Sequence, residues 1–315
     1  MLKVQLQNNQ IQFGNQFSVS FQRTLRIPDD DRIYPLPPGL GVFPVYELAG
    51  NDERLPGWWN DSDVLIPVYQ REALWIAFEG VDWRPNAVKV GIGKINAVSG
   101  ERWDTKLHDD PQDYLVCPLQ PWLDGINAGE NYIRQFVSMP LGEGYTVEAQ
   151  VAGSEQFGGI QLIVYEAKPN KFTDRPPRKQ ESGVALMHSL RGQSMGTEMG
   201  LGAGGKMKQK IYPDPHGIET WDPHNYGAVF AHLVNSEQFR TLTGYEPPPT
   251  PISAQTYTEY GLPWFDLYDE ALSDVAAPES LTRIESVKEL EAKKDIRRED
   301  DRSIGIIDSQ IKKLL

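Results

Sequence analysis

The chain has 315 residues, of which 24% are charged and 10% aromatic, and Gly (28) and Pro (24) together make up about a sixth of it. That length allows one large domain or two ordinary ones with a sizeable core, and the composition excludes collagen, coiled coil and general disorder. A net charge of −13 repels phosphate backbones and anionic lipid, so nucleic acid is not an expected partner.

Met1 to Gln7 carry no apolar stretch of the signal-peptide kind, and no run of about 18 apolar residues occurs, so a cytoplasmic chain without a membrane span is expected. From Ile11 to Phe21 the apolar residues alternate. Phe17, Val19 and Phe21 share one face, Ser18, Ser20 and Gln22 the other, after a turn at Gly14-Asn15, which predicts a half-buried strand. The same alternation at Val88, Val90 and Ile92, at Val147, Ala149 and Val151, and at Ile160, Leu162 and Val164 predicts three more strands. Shorter apolar runs at 64–69, 74–78, 114–117 and 133–139 are separated by turn clusters such as Arg84-Pro85-Asn86. No long amphipathic helix interrupts them before about residue 230. The expected fold is mainly β (or α+β), an antiparallel β-sandwich or partly closed barrel with long loops and a short helical C-terminal tail.

Residues 166–210 shift to Pro, Lys, Ser and Gly and read as a long loop or insertion. A strand at 229–234 and a short helix at 236–242 follow, then a stiff spacer, Pro247-Pro248-Pro249-Thr250-Pro251. The predicted organisation is a β-rich body over 1–274, a charged linker or helix over 275–302, and a terminal segment over 303–315. In that segment Ile304, Ile307, Ile311 and Leu314 recur at steps of 3, 4 and 3, predicting an amphipathic helix that needs a surface, either the body itself or a partner. These four are the candidate partner-binding residues, and a protein partner or a second copy of the chain is the expected occupant.

Chemical signatures are sparse. Gly200-Leu201-Gly202-Ala203-Gly204-Gly205-Lys206-Met207 meets the GxxxxGK spacing of a phosphate loop, but Met207 stands where a hydroxyl should hold Mg²⁺, and a glycine-rich turn is the plainer reading. Lys206, Lys208 and Lys210, with Arg178 and Arg191, form a short basic cluster that a solvated loop also explains. Cys117, the single cysteine, lies in Leu115-Val116-Cys117-Pro118, an apolar setting for an inert thiol, and no Gly-x-Ser-x-Gly elbow surrounds Ser194. The densest spot repeats Asp-Pro-His at Asp214-Pro215-His216 and Asp222-Pro223-His224, with His232 downstream. Asp214, His216, Asp222, His224 and His232 are therefore candidate ligands for a divalent metal, although no cofactor is otherwise expected and the same residues suit structural turns. Tryptophan also neighbours acid repeatedly, without the fixed period of a propeller, and Trp122, Asp124 and Trp221 are candidate ligand-binding residues for a sugar or small molecule. Trp58-Trp59 and Gly261-Leu262-Pro263-Trp264-Phe265 are the expected exposed apolar patches.

Six stretches look familiar as a set: FQRTLRIPDD from Phe21, YPLPPGLG from Tyr34, YQREALW from Tyr69, QPWLDGI from Gln120, KIYPDPHG from Lys210 and GLPWFDLYD from Gly261. Together they resemble a family of bacterial proteins of unknown function over roughly residues 4–275. The resemblance implies a bacterial, cytoplasmic origin and carries no activity. Three functions are therefore expected in competition: a non-enzymatic binding or assembly protein whose terminal peptide docks on itself or a partner; a metal-dependent enzyme using residues 214–232; and capture of a carbohydrate or small ligand by Trp/Asp clusters.

Overall fold

A computed structural model describes residues 1–48, 59–60, 62–172, 198–249, 253–267, 272–298 and 302–314. In chain order the strands begin with β1 (Val4–Gln7), β2 (Gln10–Phe13), β3 (Phe17–Thr24), β4 (Ile33–Tyr34), β5 (Gly39–Val42) and β6 (Tyr46–Glu47). Next come β7 (Val64–Val68), β8 (Ala73–Glu79), β9 (Asn86–Ile92), β10 (Ile95–Asn96), β11 (Leu115–Cys117), β12 (Trp122–Leu123), β13 (Gly125–Gly129) and β14 (Tyr132–Pro140). Helix α1 (Val147–Ala152), β15 (Ile160–Ala167), β16 (Glu198–Lys208), β17 (Trp221–Asn235), α2 (Ser236–Thr243) and α3 (Ala254–Glu259) follow. β18 (Trp264–Leu267), α4 (Glu279–Thr282), α5 (Val287–Lys293) and β19 (Ile311–Leu314) complete the order. The protein is mainly β, with 43% of the described residues in strand and 13% in helix.

One antiparallel layer runs β1-β2-β3-β8-β14-β16 and a second runs β17-β15-β9-β11. β16 joins them, because Glu198 and Met199 pair with Val234 and Leu233 of β17 while the rest of the strand runs along β14. β7 extends the second layer in parallel with β17. The layers meet through one apolar cluster in which Phe17, Phe21, Ile76 and Phe136 pack with Val88, Val90, Leu162 and Val229. These are the residues whose period of two marks the strands in the sequence, since alternate side chains of a strand point to one face. β9 is buried on both faces, so its intervening Lys89 is also inside.

Three expected elements take another form. Residues 147–151 are helix α1: Thr146 accepts the Ala149 N–H as N-cap, and Gly153 ends the helix at φ 75°. Val147 and Val151, four apart, share a helical face as readily as a strand face, so the spacing alone does not choose. Of the expected loop 166–210, residues 173–197 with Arg178, His188, Arg191 and Ser194 lie outside the described residues, but 198–208 is the eleven-residue strand β16. Its glycines serve close packing. A Cβ at Gly202 would lie 2.7 Å from the Tyr145 carbonyl oxygen, and one at Gly205 would lie 2.3 Å from that of Pro28, so the phosphate-loop spacing arises from strand crossings. Lys206 and Lys208 pair with Asp31 and Asp266 at 3.0 and 2.9 Å, so they are not a bare basic patch.

The terminal segment is extended instead of helical. Ile304 is buried beside Trp264, Ile307 is exposed, Asp308–Gln310 makes one 3-10 turn, and β19 pairs in parallel with β18, Trp264 opposite Ile311 and Leu267 opposite Leu314. A helix of this length is marginal, whereas the open edge of β18 satisfies the backbone at once. The charged segment before it contributes to the body: Leu281 and Ile284 enter the main core, and Val287 packs with Val137, Met139 and Tyr145. Among the described residues no helix is long and apolar enough to cross a membrane.

Candidate ligand cleft

The five candidate metal ligands do not converge. The Asp214 carboxylate accepts from the Tyr114 hydroxyl at 2.7 Å, the Trp221 indole N–H at 2.9 Å and the His216 backbone N–H at 2.7 Å, which fixes a turn and leaves the exposed His216 ring packed edge-on to Trp221. Asp222 accepts the backbone N–H of His224 in a second such turn, and the His224 side chain is exposed. His232 lies elsewhere. It is buried between Trp59 and Phe230, with ring centroids 3.7 and 4.1 Å away, and its Nε2 is 3.1 Å from Asp63. Burial lowers its pKa, against the opposing hydrogen bond to Asp63, so the ring is held as neutral imidazole. The repeat of Asp-Pro-His reflects two turns in which Asp accepts from the chain two residues on, the backbone role that Asp favours.

Among the described residues one other group, Asp104, His108 and Asp113, gathers enough ligand atoms for an ion, a grouping that no spacing in the sequence singled out. Its cation is already resident. Lys89, 1% exposed, places Nζ 2.6 Å from Asp104 and 2.7 Å from Asp113, bonds the Lys106 carbonyl, and lies 5.6 Å from the Trp103 ring centroid. Burial opposes ionisation of Asp104, but hydrogen bonds from Lys89 and the Lys106 N–H hold its carboxyl below the usual range. The centre is a charge cluster whose buried member, Lys89, is the chain's own cation.

A different place remains open. On β8, Leu74, Ile76 and Phe78 face the core, which turns Trp75 and Ala77 outward. β12 pairs Trp122 opposite Ala77, so Trp122 is the diagonal neighbour of Trp75, and the two indoles meet edge to face at 6.3 Å and 71°. Leu36, Pro37, Pro38 and Gly39 form a second wall, tied down by the Thr24 hydroxyl bonding the Pro38 carbonyl at 2.9 Å. Phe265 of β18 closes the third side, its backbone exchanging hydrogen bonds with Leu36 at 2.8 and 2.9 Å. The resulting cleft of about 190 Å³ has Asp124 as the one ionisable residue of its lining among the described residues.

Asp124 follows β12 and is 4% exposed. Its neighbour must be glycine, because a Cβ at Gly125 would lie 1.9 Å from the Arg134 carbonyl oxygen. Gln209, at the end of β16, bonds both ends of Asp124: its Nε2 donates to the carboxyl at 2.9 Å and its Oε1 accepts the backbone N–H at 3.0 Å. Burial, opposed by hydrogen bonds from Trp122 and Gln209, pushes the Asp124 carboxyl up to about 7. The other buried carboxylates among the described residues face a cation or backbone N–H groups: Glu72 faces Arg23, Glu291 Arg71, Asp113 Lys89, Asp29 Arg134, Asp63 the Asn60 N–H, and Glu148 the N–H groups of Gln156, Phe157 and Gly158. Among the described residues Asp124 has only the Gln209 amide and the Trp122 indole.

The candidate ligand residues thus divide. Trp122 and Asp124 share the cleft, while Trp221 is buried in another cluster with Tyr114 and Tyr165. Trp75, Pro37, Pro38 and Phe265 carry no ligand signal of their own in the sequence, although the familiar stretches around 34–41, 68–75, 120–126 and 261–269 each supply part of the lining. Of the expected exposed patches, Trp264 is fully buried, Trp59 is stacked on His232, and Trp58 lies outside the described residues. Cys117 is buried, with burial pushing its thiol well above the usual range. No family model, curated protein or solved structure matches the chain.

Proposed function

We propose that this chain is a non-enzymatic binding protein that holds a small ligand in the cleft between Trp75, Trp122 and Phe265. The observation that carries this reading is the placement of Asp124, a carboxyl kept out of water with no cation beside it, at an opening lined otherwise by rings and aliphatic groups. A few polar groups set in an apolar cleft is the usual constitution of a small-molecule site. The terminal segment belongs to the same reading: β19 pairs with β18, the strand that carries Phe265, so self-docking of the tail braces a wall of the cleft. The setting proposed is the cytoplasm, in keeping with the lone, buried Cys117.

Tryptophan fluorescence and calorimetric titration of the intact chain with small organic cations, sugars and neutral apolar molecules test the proposal, with Trp122→Ala in parallel. Binding that this substitution weakens about tenfold or more is expected. Binding that it leaves unchanged would remove the cleft from the function.

A second reading, assembly with a protein partner or another copy through the tail, is favoured by Tyr260, Leu262 and Ile307, which are 77%, 40% and 62% exposed. Gln310 bonds the Thr258 and Leu262 carbonyls and so seats the Ile307 turn beside that loop. Sedimentation of the chain and of Ile307→Asp tests it; one identical monomeric species for both would end it.

A further inference from the structure

We infer that the cleft takes a small organic cation, an alkylammonium head whose charge is met by Asp124 and whose alkyl groups lie against Trp75, Trp122 and Phe265. The inference rests on the binding reading above and names its ligand class.

The lining decides among ligand chemistries. Trp75 and Trp122 present one indole to another's edge, Phe265 adds a third ring, and Pro37 and Pro38 add aliphatic surface. Aromatic faces attract cations by their quadrupole, most strongly where water is excluded. A sugar would bring several hydroxyls into a lining whose one carboxyl already accepts from the Trp122 indole and the Gln209 amide, leaving most of them without partners. Magnesium and calcium need about six to eight oxygen ligands and zinc about four ligands, and Asp124 brings a single carboxyl. An anion would face that carboxyl and a chain of net charge −13, a field that instead concentrates cations.

The surroundings of Asp124 leave this place for a positive charge. Gln209 and Trp122 are neutral donors to the carboxyl. Of the charged residues flanking Gln209, Lys208 is bonded to Asp266 and Lys210 to the Leu272 carbonyl, so both ammonium groups are held by other partners. Asp274, at the same end of the sheet, accepts the backbone N–H groups of Ile211 and Asn131. A ligand ammonium would therefore supply the counter-charge that Arg23, Arg71 and Lys89 supply to Glu72, Glu291 and Asp113 elsewhere in the fold.

The test compares choline with 3,3-dimethylbutan-1-ol, which has the same shape without the charge, together with glucose, on the intact chain at pH 8. The expected result is that choline binds at least tenfold tighter than the neutral alcohol, and that Asp124→Asn removes this advantage. Trp75→Leu, which keeps apolar volume and removes the ring, supplies a second variant should Asp124→Asn fold poorly, and it too should lower choline binding selectively. A trimethyllysine tripeptide carries the same head from a protein source; tighter binding than choline would assign the head to a modified side chain, and weaker binding would assign it to a free molecule. Equal binding of choline and the alcohol, or binding of glucose alone, overturns the cation while the cleft stands. No binding by any of the probes overturns the inference and the cleft together.

Discussion

Two carboxyl centres in this protein share their ingredients and differ in one. At Lys89, two aspartates, a histidine and a tryptophan surround an ammonium contributed by the chain; at Asp124, two tryptophans and a glutamine surround a carboxyl that has no cation among the described residues. The first has an ammonium of its own set between its two carboxylates, with Asp104 and His108 about half exposed at the surface. The second carries an electrostatic deficit, visible in a carboxyl raised to about 7, that an arriving cation would relieve. A cluster of titratable groups is thus not a site by its density; the question is whether the fold has already supplied the partner.

The sharpest way to break that comparison is Lys89→Met. Removing one partner of a buried ion group leaves Asp113 and the Asp104 contact uncompensated, and a loss of about 3–5 kcal/mol in denaturant unfolding is expected. A loss below about 1 kcal/mol would show that the aspartates do not depend on the ammonium.

The Asp124 centre predicts the opposite sign. Unfolded, its carboxyl ionises near 3.8; folded, it keeps its proton up to about 7. Between these values the folded state binds more protons than the unfolded state, so this contribution is fully present below the lower value and is lost as pH rises through the upper one. Asp124→Asn should therefore gain stability over the parent between pH 5 and pH 9, on the order of 2–4 kcal/mol, read as a widening difference in Tm. A difference that stays flat across that range would place the carboxyl in water.

A smaller effect concerns the brace. Ile304→Ala removes buried apolar surface beside Trp264, and a loss of about 2 kcal/mol is expected with a few-fold weaker hold on any cleft ligand, because β18 carries Phe265. Smallest should be Ile307→Asp: at 62% exposure it should change the stability of the monomer by no more than about 0.5 kcal/mol, measured by urea titration at low protein concentration.

Several of these features are legible along the chain and others are not. Phe17, Val19 and Phe21, or Ile160, Leu162 and Val164, announce strands because a two-residue period has one meaning when one face is buried. Val147 and Val151 fit two periods, and there Thr146 and Gly153 decide. Ile304, Ile307 and Ile311 are spaced for a helix, yet an unpaired strand edge distant in sequence takes the segment. At the cleft, Trp122 and Asp124 stand two residues apart and draw attention as a pair, whereas Trp75 and Phe265 are separate, ordinary aromatics until β8 pairs with β12 and Phe265 bridges Leu36. The histidine repeat misleads for the converse reason: residues dense in sequence serve local turns.

What the order of amino acids settles is the class of fold and the acidic, aromatic character of the molecule, because hydrophobic periodicity and charge are local or additive properties. What the three-dimensional packing alone settles is which acid lacks a partner. Lys89 reaches Asp113 and, among the described residues, nothing cationic reaches Asp124, since ion pairing depends on distances of a few ångströms between strands that the chain places far apart.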